Sequence, residues 1–516
     1  MAVGSLRLSV TALAVGMSAA LAAPAHADKK SGTLNVALQQ TYATIDSILY
    51  PSGEVQIMDR AIHDQLVALD SDTGKIVPGL AASWKQIDPN TWEFVLRDDV
   101  TFHDGQKLTA EDVAYTVNYV VDPKEKFANK RRFTWMTGAE VLAPNVVRIR
   151  TETPYAPALS TLAIIMGILP KHIHSKLDNK TLYGQSPVGT GPYKAVQVDK
   201  NKGVILERNS AFAHFTAENP KPNIGRVHLI SIPDEQTTVA KMLVGEIDLA
   251  RVFSSDLAAD IAKNPAFKST ATNSFRFYYM TLDAVNRSGL KALSDVRVRR
   301  AIAHAVDRET IRKSVIAGGD KVLALNAPCL PLQTGCVVSN EPYAYDPAKA
   351  KALLAEAGFA DGLEMAITLI REGRTVGEAV AGYLREVGIK ASIRQTTSNV
   401  FLKERSDGLA NATLGIYGAG GIADVAIIMG WGFEDSPNDY SRDAEIKKLA
   451  AAAERSFDAK EREDRYRRIF DRNNEQVYIL PLASAPTELL HTKDLDIPRD
   501  FSTNAFGADL SALNWK

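Results

Sequence analysis

Apolar and polar positions along the chain predict strands and helices that follow one another throughout its length. Residues 32–38 and 91–96 alternate between apolar and polar positions, which is typical of half-buried strands. A helix is predicted from about residue 54 to residue 67, because apolar residues recur there at helical spacing. Those residues are Val55, Met58, Ile62 and Leu66.

Capping residues mark where several helices begin. Thr109 is followed three residues later by Asp112, which predicts a capping box. Ser294 is predicted to cap a helix that runs to about residue 306, and Asp307 to cap the next one. Asp346, with proline directly after it, predicts the start of a further helix.

The order of these elements favours βαβ units and an α/β fold. Strands are predicted at 227–232 and 275–282, on either side of a helical stretch at 235–244. The clearest unit has strands at 364–370 and 389–395 with a helix between them. Two polar helices and a final strand follow, at 443–456, 459–475 and 477–481.

The first residues have the features of a cleavable signal peptide covering 1–27. Arg7 supplies the positive charge, residues 8–23 are apolar and uncharged, and Ala25-His26-Ala27 fits the rule for cleavage sites. An uncleaved anchor is the alternative. The pattern predicts export, and we expect that these residues are removed and do not take part in the fold.

Composition narrows the class of protein. The formal net charge is −1, from 60 Lys and Arg against 61 Asp and Glu. This balance argues against a nucleic-acid-binding protein and against a protein that binds membranes through a polybasic surface. A hydrophobic content of 45% is typical of a globular chain, and residues 28–516 are long enough for two or three domains.

The only two cysteines are Cys329 and Cys336. In an oxidising compartment, two thiols this close in sequence favour a disulfide that closes a small loop. Pro328, Pro331 and Gly335 support a loop at this point. Free thiols are the alternative, and a metal site would need more ligands than these two.

Motifs of catalysis and of nucleotide binding are missing from the sequence, including G-x-S-x-G, H-E-x-x-H and the phosphate loop. His172 and His174 form an H-x-H pair, which on a helix points to two faces and favours a solvated helix start over a metal site. The segment 103–105 favours a turn. The basic residues 130–132 favour a solvated face, with an acidic ligand group as the alternative partner.

Four aromatic residues lie among glycines and polar residues instead of in apolar runs. They are Trp135, Tyr417, Trp431 and Phe433. Flexible backbone beside aromatic rings is typical of a ligand cleft, where rings cover apolar parts of the ligand. The alternative is that these rings fill the core. The Gly- and Pro-rich segment 184–192 favours a crossover between domains.

Several segments together resemble the large bacterial solute-binding proteins of the peptide/nickel transporter class, whose relatives include dipeptide, oligopeptide, nickel and opine receptors. The resemblance covers nearly the whole chain after residue 27. Its most specific segment is 295–307 (DVRVRRAIAHAVD). The other segments are 78–84 (PGLAASW), 92–97 (WEFVLR), 100–113 (VTFHDGQKLTAEDV), 188–193 (VGTGPY), 345–354 (YDPAKAKALL) and 358–359 (GF).

The resemblance implies a two-lobed α/β fold of the periplasmic-binding-protein type, with an extra inserted domain and the ligand in the cleft between the lobes. It also implies a monomer without cofactor or metal, in the periplasm, that delivers its ligand to the permease of an ABC importer. The implied division is lobe I at 31–70, 188–285 and 476–516, the inserted domain at 71–187, and lobe II at 286–475.

One segment departs from the pattern of peptide-binding members, in which an Asp pairs with the amino terminus of the peptide. Gly420 stands at the matching position here, and Asp424 follows four residues later. Because a buried ammonium needs a paired charge, this difference argues against an ordinary peptide ligand. A short gap in the match would restore Asp424 to the role.

The sequence therefore predicts a non-enzymatic receptor for a small organic solute, such as a peptide, an opine or an organic acid. Arg132 or Arg371 is expected to hold an anionic group, and the rings are expected to cover the body of the ligand. The alternatives are a secreted hydrolase and a periplasmic chaperone or scaffold. The predicted ligand-binding residues are Tyr42, Arg132, Trp135, Arg371, Tyr417, Gly420 and Trp431.

Overall fold

The computed structural model of the protein describes residues 32–40, 42, 44–50, 52–126, 130–213, 220–252, 255–340, 343–418, 420–504 and 506–516. The predicted signal peptide at 1–27 lies outside the described residues. Within the described ranges, no helix combines the length and the apolar character needed to cross a membrane.

The strands of the described chain are β1 (Thr33–Leu38), β2 (Val67–Leu69), β3 (Ile76–Pro78), β4 (Ala81–Asp88), β5 (Thr91–Leu96), β6 (Met136–Ala143), β7 (Val146–Thr151), β8 (Tyr193–Asp199), β9 (Gly203–Arg208), β10 (Arg226–Ser231), β11 (Leu249–Val252), β12 (Phe267–Thr272), β13 (Arg276–Leu282), β14 (Leu363–Leu369), β15 (Ile389–Gln395), β16 (Ala412–Gly418), β17 (Ile479–Ser484), β18 (Thr487–Thr492), β19 (Leu495–Asp496) and β20 (Asn514–Trp515).

The α-helices of the described chain are α1 (Gly53–Ile62), α2 (Ala110–Val121), α3 (Ala158–Ile165), α4 (Lys171–His174), α5 (Glu235–Leu243), α6 (Ser255–Ile261), α7 (Val296–Ala305), α8 (Arg308–Thr310), α9 (Pro347–Glu356), α10 (Arg374–Glu386), α11 (Ser398–Asp407), α12 (Ala426–Gly432), α13 (Ala444–Arg455) and α14 (Ala459–Gln476).

The first large sheet has seven strands in the order β12-β18-β11-β1-β10-β9-β8. Strand β1 runs parallel to both β10 and β11, and α5 connects these two strands. The predicted βαβ unit therefore exists, but its second strand is β11. The strand predicted at 275–282 belongs to another sheet, in which β13 pairs antiparallel with β16 and β17.

The second large sheet has five strands in the order β15-β14-β16-β13-β17. Strands β14 and β15 are parallel, with Leu363 opposite Ile389, and α10 connects them. This confirms the βαβ unit predicted at 364–395. Its local pattern was strong because Gly388 ends the helix at a positive φ of 94°, a backbone angle that favours glycine.

A third sheet of four antiparallel strands has the order β4-β5-β7-β6 and packs against α2. The Asp112 carboxylate accepts hydrogen bonds from the backbone N–H and the hydroxyl of Thr109, at 3.0 and 2.9 Å, as expected for the predicted capping box. Trp92 and Phe94 of β5 are buried in the adjoining core. All four strands fall within the range predicted for the inserted domain.

The architecture is mixed α/β with several sheets, which confirms the predicted fold class. The chain passes between the two large sheets twice. The first passage lies between Thr272 at the end of β12 and Arg276 at the start of β13. The second lies between Ser484 of β17 and Thr487 of β18. Sheet membership therefore changes at these two points, whereas the predicted division of lobes I and II falls at residues 286 and 476.

Two element boundaries differ from the prediction. Helix α1 ends at Ile62 instead of residue 67, because His63 has extended backbone and its ring contacts Asp59 at 2.9 Å and Tyr183 at 2.7 Å. Asp295, and not Ser294, caps α7 through its side chain. The cap at Asp346 is confirmed, with its side chain accepting from the N–H of Lys349.

The segment 184–192 passes against the end of α1. The N–H of Gly191 donates to the carbonyl of Ile62 at 2.8 Å. A Cβ atom at Gly189 would overlap the same carbonyl, so the close approach requires glycine. The segment then leads into β8 of the seven-stranded sheet, which agrees with a crossover at this point.

Candidate functional site

A cavity of about 680 Å³ is lined by residues from 131–165 and by residues from the end of β16, from α12 and the segments beside it, and from α13. Helix α1 adds one residue to its wall, Gln56. The lining is mostly polar and aromatic. It consists of Gln56, Arg131, Arg132, Thr134, Trp135, Glu152, Thr153, Tyr155, Pro157, Thr161, Ile165, Tyr417, Gly418, Gly420, Ile422, Ala426, Ile427, Gly430, Trp431, Glu434, Ser436, Pro437, Asn438 and Glu454.

Two stacked rings form one side of this cavity. Trp135 and Tyr155 have their ring centroids 4.8 Å apart at an interplanar angle of 24°. The indole N–H of Trp135 donates to the carbonyl of Arg132 at 3.0 Å, which fixes the ring to the preceding turn. An aromatic face held in this way offers an apolar surface and a site for cations.

A second aromatic pair, from β16 and α12, also lines the cavity. The rings of Tyr417 and Trp431 are 4.4 Å apart, and Tyr279 packs edge-on against Trp431 at 4.9 Å. The hydroxyl of Tyr417 donates to the carbonyl of Ile427 at 3.1 Å. Because this bond ties the end of β16 to α12, the two rings are held together by both packing and hydrogen bonding.

Arg132 is a half-buried cationic group in the wall of the cavity. Its guanidinium makes no hydrogen bond or ion pair with any residue that the structure describes. Burial lowers the pKa of Arg132 to about 10, partly offset by the carboxylate of Asp59, so the side chain stays cationic at neutral pH. Both Arg131 and Arg132 line the cavity, and Arg132 is half-buried whereas Arg131 is exposed.

Two acidic side chains, those of Glu434 and Glu454, also belong to the lining. Burial, together with the nearby carboxylates of Glu434 and Asp424, raises the pKa of Glu454 to about 8. Burial also raises the pKa of Glu434, against the opposing effect of Arg131. The backbone carbonyl of Glu454 accepts from the N–H of Ala156 at 2.8 Å, which places this helix end beside the Trp135–Tyr155 pair.

Gly420 and Asp424 have different surroundings. Gly420 lines the cavity at a φ of 61°, and a Cβ atom there would meet nothing within 4 Å. Asp424 is buried, and its two oxygens lie 3.0 and 2.8 Å from Nη2 of Arg462. Asp424 also accepts from the N–H of Ala426 and is not part of the lining. Its charge is therefore matched inside the protein.

Tyr42 and Arg371 lie outside the cavity lining. The hydroxyl of Tyr42 donates to the carboxylate of Glu54 at 2.7 Å, and burial raises its pKa. Arg371 forms an ion pair of 3.4 Å with Glu235 on α5, and its side chain is 66% exposed. The other five predicted residues, Arg132, Trp135, Tyr417, Gly420 and Trp431, all line the cavity.

The H-x-H pair lies on α4, where the two rings have separate partners. His172 contacts Asp104 at 2.7 Å, and Nδ1 of His174 contacts the hydroxyl of Tyr115 at 2.6 Å. His174 is fully buried, so the predicted solvated helix start is wrong for that residue. Across the described residues, no group of three His, Cys, Asp or Glu side chains is placed to hold a metal ion.

Cys329 and Cys336 form a disulfide, as predicted. Its loop lies behind one wall of the cavity. The N–H of Thr334 donates to the carbonyl of Ala423 at 2.9 Å, and the side chain of Gln333 donates to the carbonyl of Ile422 at 3.2 Å. The disulfide loop therefore supports the segment that brings Ile422 to the cavity.

Tyr155, Glu434 and Glu454 line the cavity but are not among the residues predicted from the sequence. Tyr155 lies between Pro154 and Pro157, and this proline-bounded turn was a usable signal. The two glutamates belong to polar segments in which acidic residues usually face solvent. No sequence signal separated them from their neighbours.

A model of the family described as bacterial extracellular solute-binding proteins, family 5, matches residues 75–439. The nickel-binding periplasmic protein of Escherichia coli is 26% identical over 370 residues, which cover 67% of this chain and 68% of that protein. The glutathione-binding protein GsiB of Salmonella typhi is 26% identical over 391 residues, covering 74% of this chain and 72% of that protein.

The same fold is found in the substrate-binding protein CtaP of an ABC transporter from Listeria monocytogenes. The two structures align with a TM-score of 0.82 at 22% sequence identity, covering 94% of this chain and 99% of that one. The family match spans most of the chain and includes both aromatic pairs of the cavity. The chain therefore belongs to family 5 of the bacterial extracellular solute-binding proteins.

Proposed function

We propose that the protein is the periplasmic binding component of an ABC importer and that it captures a small organic solute in the cavity between its two aromatic pairs. The observation that carries this proposal is Arg132, whose guanidinium has no partner among the described residues and which adjoins the Trp135–Tyr155 stack. A cation and an apolar ring face, set side by side in a cavity, fit a ligand with an anionic group and an apolar body.

The dimensions of the cavity support a small-molecule ligand. Its volume of about 680 Å³ lies within the range of roughly 300–1,000 Å³ that is common for such sites. The mixture of charged and aromatic side chains also favours a small solute over a protein segment. A chaperone that binds unfolded chains would need an open groove lined with aliphatic residues.

Arg132 is a better candidate than Arg371 for binding the anionic group. Arg371 already has a carboxylate partner in Glu235 and is largely exposed. Arg132 lies in the cavity wall and makes no such pair with a described residue. A planar guanidinium can donate two parallel hydrogen bonds to a carboxylate, which would fix the orientation of the ligand.

The proposed transport cycle depends on closure of the cleft. Walls of the cavity come from separate parts of the chain, so a ligand that contacts all of them stabilises the arrangement in which they are close. The closed form would then dock on the membrane permease. Localisation in the periplasm agrees with the signal peptide predicted at 1–27 and with the periplasmic nickel-binding relative.

The class of ligand follows from the lining and not from the relatives, because the relatives bind different solutes, nickel in one and glutathione in another. The described residues of the lining include no histidine or cysteine, so a bare nickel ion would find mainly oxygen ligands among them, whereas nickel favours imidazole. An organic solute with a carboxylate fits the residues present. Peptide-like compounds, opines and organic acids belong to this class.

The test is to identify the solute and to show that it leaves unchanged. Protein purified under native conditions is denatured, and the released small molecules are identified by mass spectrometry. Titration of the recovered solute by calorimetry should give saturable binding to the emptied protein with one site per chain. Turnover of the solute would favour the alternative of a secreted hydrolase, and the lack of any saturable binding would contradict the receptor.

A further inference from the structure

We propose that the cavity selects zwitterionic solutes, with the anionic group on Arg132 and a cationic group, such as an ammonium or guanidinium, on Glu454 and Glu434. This inference rests on the proposed function and narrows its ligand class. Both glutamates belong to the lining, one from the last turn of α13 and the other from the residues after α12.

The two carboxyl groups have no direct partner in the part of the chain that the structure describes. Neither side chain makes a hydrogen bond or an ion pair with any residue that the structure describes. They are also close enough to one another to interact electrostatically. Two carboxylates that lose contact with water repel each other, and a cation between them removes that repulsion.

The protein's own cations do not supply that charge to Glu454. The nearest is Arg462, whose Nη2 atom already lies 2.8 Å from an oxygen of Asp424. Arg455 also acts on Glu454 and is exposed on the same helix. Arg131 and Lys447 act on Glu434 instead; Arg131 is exposed, and Lys447 already pairs with Asp435. Since the pKa of Glu454 is raised to about 8, this carboxyl is mostly protonated at neutral pH in the empty cavity, and a ligand cation beside it would favour the ionised form.

An independent observation places the opposite charge in the same cavity. Arg132 contributes a guanidinium without a described side-chain partner to the same lining as the two glutamates. Separate cationic and acidic groups in one cavity are complementary to a molecule that carries both charges. A ligand with only an anionic group would leave the acidic pair unmatched.

The aromatic stack adds to the acidic end. Tyr155 is close enough to Glu454 for the carboxylate to act on its hydroxyl, and its ring stacks on Trp135. An ammonium or guanidinium held by Glu454 would therefore lie near an electron-rich ring face, where cations are stabilised further. Asp424 is not part of this arrangement, because it is buried and already paired with Arg462.

The experiment compares zwitterions with their acylated forms, using the full mature chain emptied of copurified solute. The probes are dipeptides and opines, each beside its N-acyl derivative, which keeps the carboxylate but loses the positive charge. For wild-type protein, calorimetry should show that the zwitterion binds about tenfold to hundredfold more tightly, as expected for hydrogen bonds to charged groups.

Glu454→Gln should reduce this preference to about threefold or less, with Glu434→Gln acting in the same direction. Glu364→Gln is the matched control, because Glu364 is exposed and lies on β14 outside the cavity, and it should leave the preference unchanged. A retained preference in Glu454→Gln would overturn the role of that residue.

Binding of acylated probes alone, or equal binding of both forms, would overturn the zwitterion inference and leave the proposed receptor standing. If neither series binds and no solute is released on denaturation, the proposed function fails, and the inference fails with it.

Discussion

Nη2 of Arg462 lies 3.0 and 2.8 Å from the two carboxylate oxygens of Asp424, and the two side chains are 9% and 2% exposed. This pair joins α14 to the segment that forms one wall of the cavity. The charge of Asp424 is therefore already balanced by Arg462 inside the protein.

Removing one member of that pair is expected to destabilise the fold. Asp424→Asn leaves the guanidinium of Arg462 buried without its counter-charge, and the free energy of unfolding should fall by about 3 kcal/mol. Urea denaturation measures the change. Adding Arg462→Met should restore more than half of the loss, while Glu364→Gln, which breaks an exposed pair, should cost less than about 1 kcal/mol. Equal losses at the two sites would contradict the buried pair.

Arg132→Gln is expected to weaken binding of the recovered solute by about tenfold to hundredfold, because one charge-assisted contact is lost. Calorimetry with the emptied protein measures the effect. Arg226→Gln is the matched control, since Arg226 is an exposed arginine on β10 that contacts Glu207 at 3.6 Å. Arg371→Gln should change the affinity much less than Arg132→Gln, and the reverse order would assign the anionic group to Arg371.

Ligand binding is expected to change tryptophan fluorescence, because two of the five tryptophans line the cavity. Trp135→Phe and Trp431→Phe should each remove part of the change and weaken binding by about threefold to tenfold through lost ring contact. Trp84→Phe serves as the control, since Trp84 lies on β4 away from the cavity. A signal that persists in the double variant would place the ligand elsewhere.

Glu454→Gln is expected to stabilise the empty protein in a pH-dependent way. The pKa of Glu454 is raised from 4.5 to about 8 in the folded state by burial and by Glu434 and Asp424, against Arg462 and Arg455. The folded state therefore binds more protons than the unfolded state between these values, so stability falls as the pH rises through them. The variant lacks this loss.

Thermal denaturation should show a gain in Tm of about 2 °C for Glu454→Gln at pH 8.5 and little gain at pH 5, where the wild-type carboxyl is protonated. Glu364→Gln should show no such pH-dependent gain. A gain of the same size at both pH values would indicate a packing effect instead of the carboxylate charge.

Reduction of the Cys329–Cys336 disulfide, or the double substitution to alanine, should lower the free energy of unfolding by about 2–3 kcal/mol, since the bridge closes a short loop in the unfolded chain. Because the loop bonds to Ile422 and Ala423, affinity for the solute should fall as well. Urea denaturation with and without reductant measures the first effect and calorimetry the second. Unchanged affinity would show that the wall holds its shape without the bridge.

Local signals in the sequence predicted the elements that depend on neighbouring residues. The cap at Asp346 and the βαβ unit of β14 and β15 were found because each depends on residues a few positions apart. The end of α1 was missed because the Tyr183 hydroxyl, which comes from a distant part of the chain, contacts the ring of His63. His174 was missed for the same reason, since Tyr115 and Tyr183 surround it.

The same distinction applies to the site. Five predicted residues line the cavity because glycine beside aromatic rings, and arginine beside tryptophan, are visible in the sequence. The place of Glu454 in the cavity could not be predicted from the sequence, because α13 is a polar helix on which a glutamate normally faces water. Its surroundings come from Tyr155 and Glu434, which only the tertiary structure brings to it.

The position of β18 sets the order in which the molecule can be assembled. The five-stranded sheet uses one continuous stretch of chain, from β13 to β17, and the four-stranded sheet another, from β4 to β7. The seven-stranded sheet instead places β18 between β11 and β12. The seven-stranded sheet therefore cannot be completed until almost the whole polypeptide has been synthesised. A chain that stops before Thr487 would expose an open sheet edge, the kind of surface on which incomplete proteins aggregate.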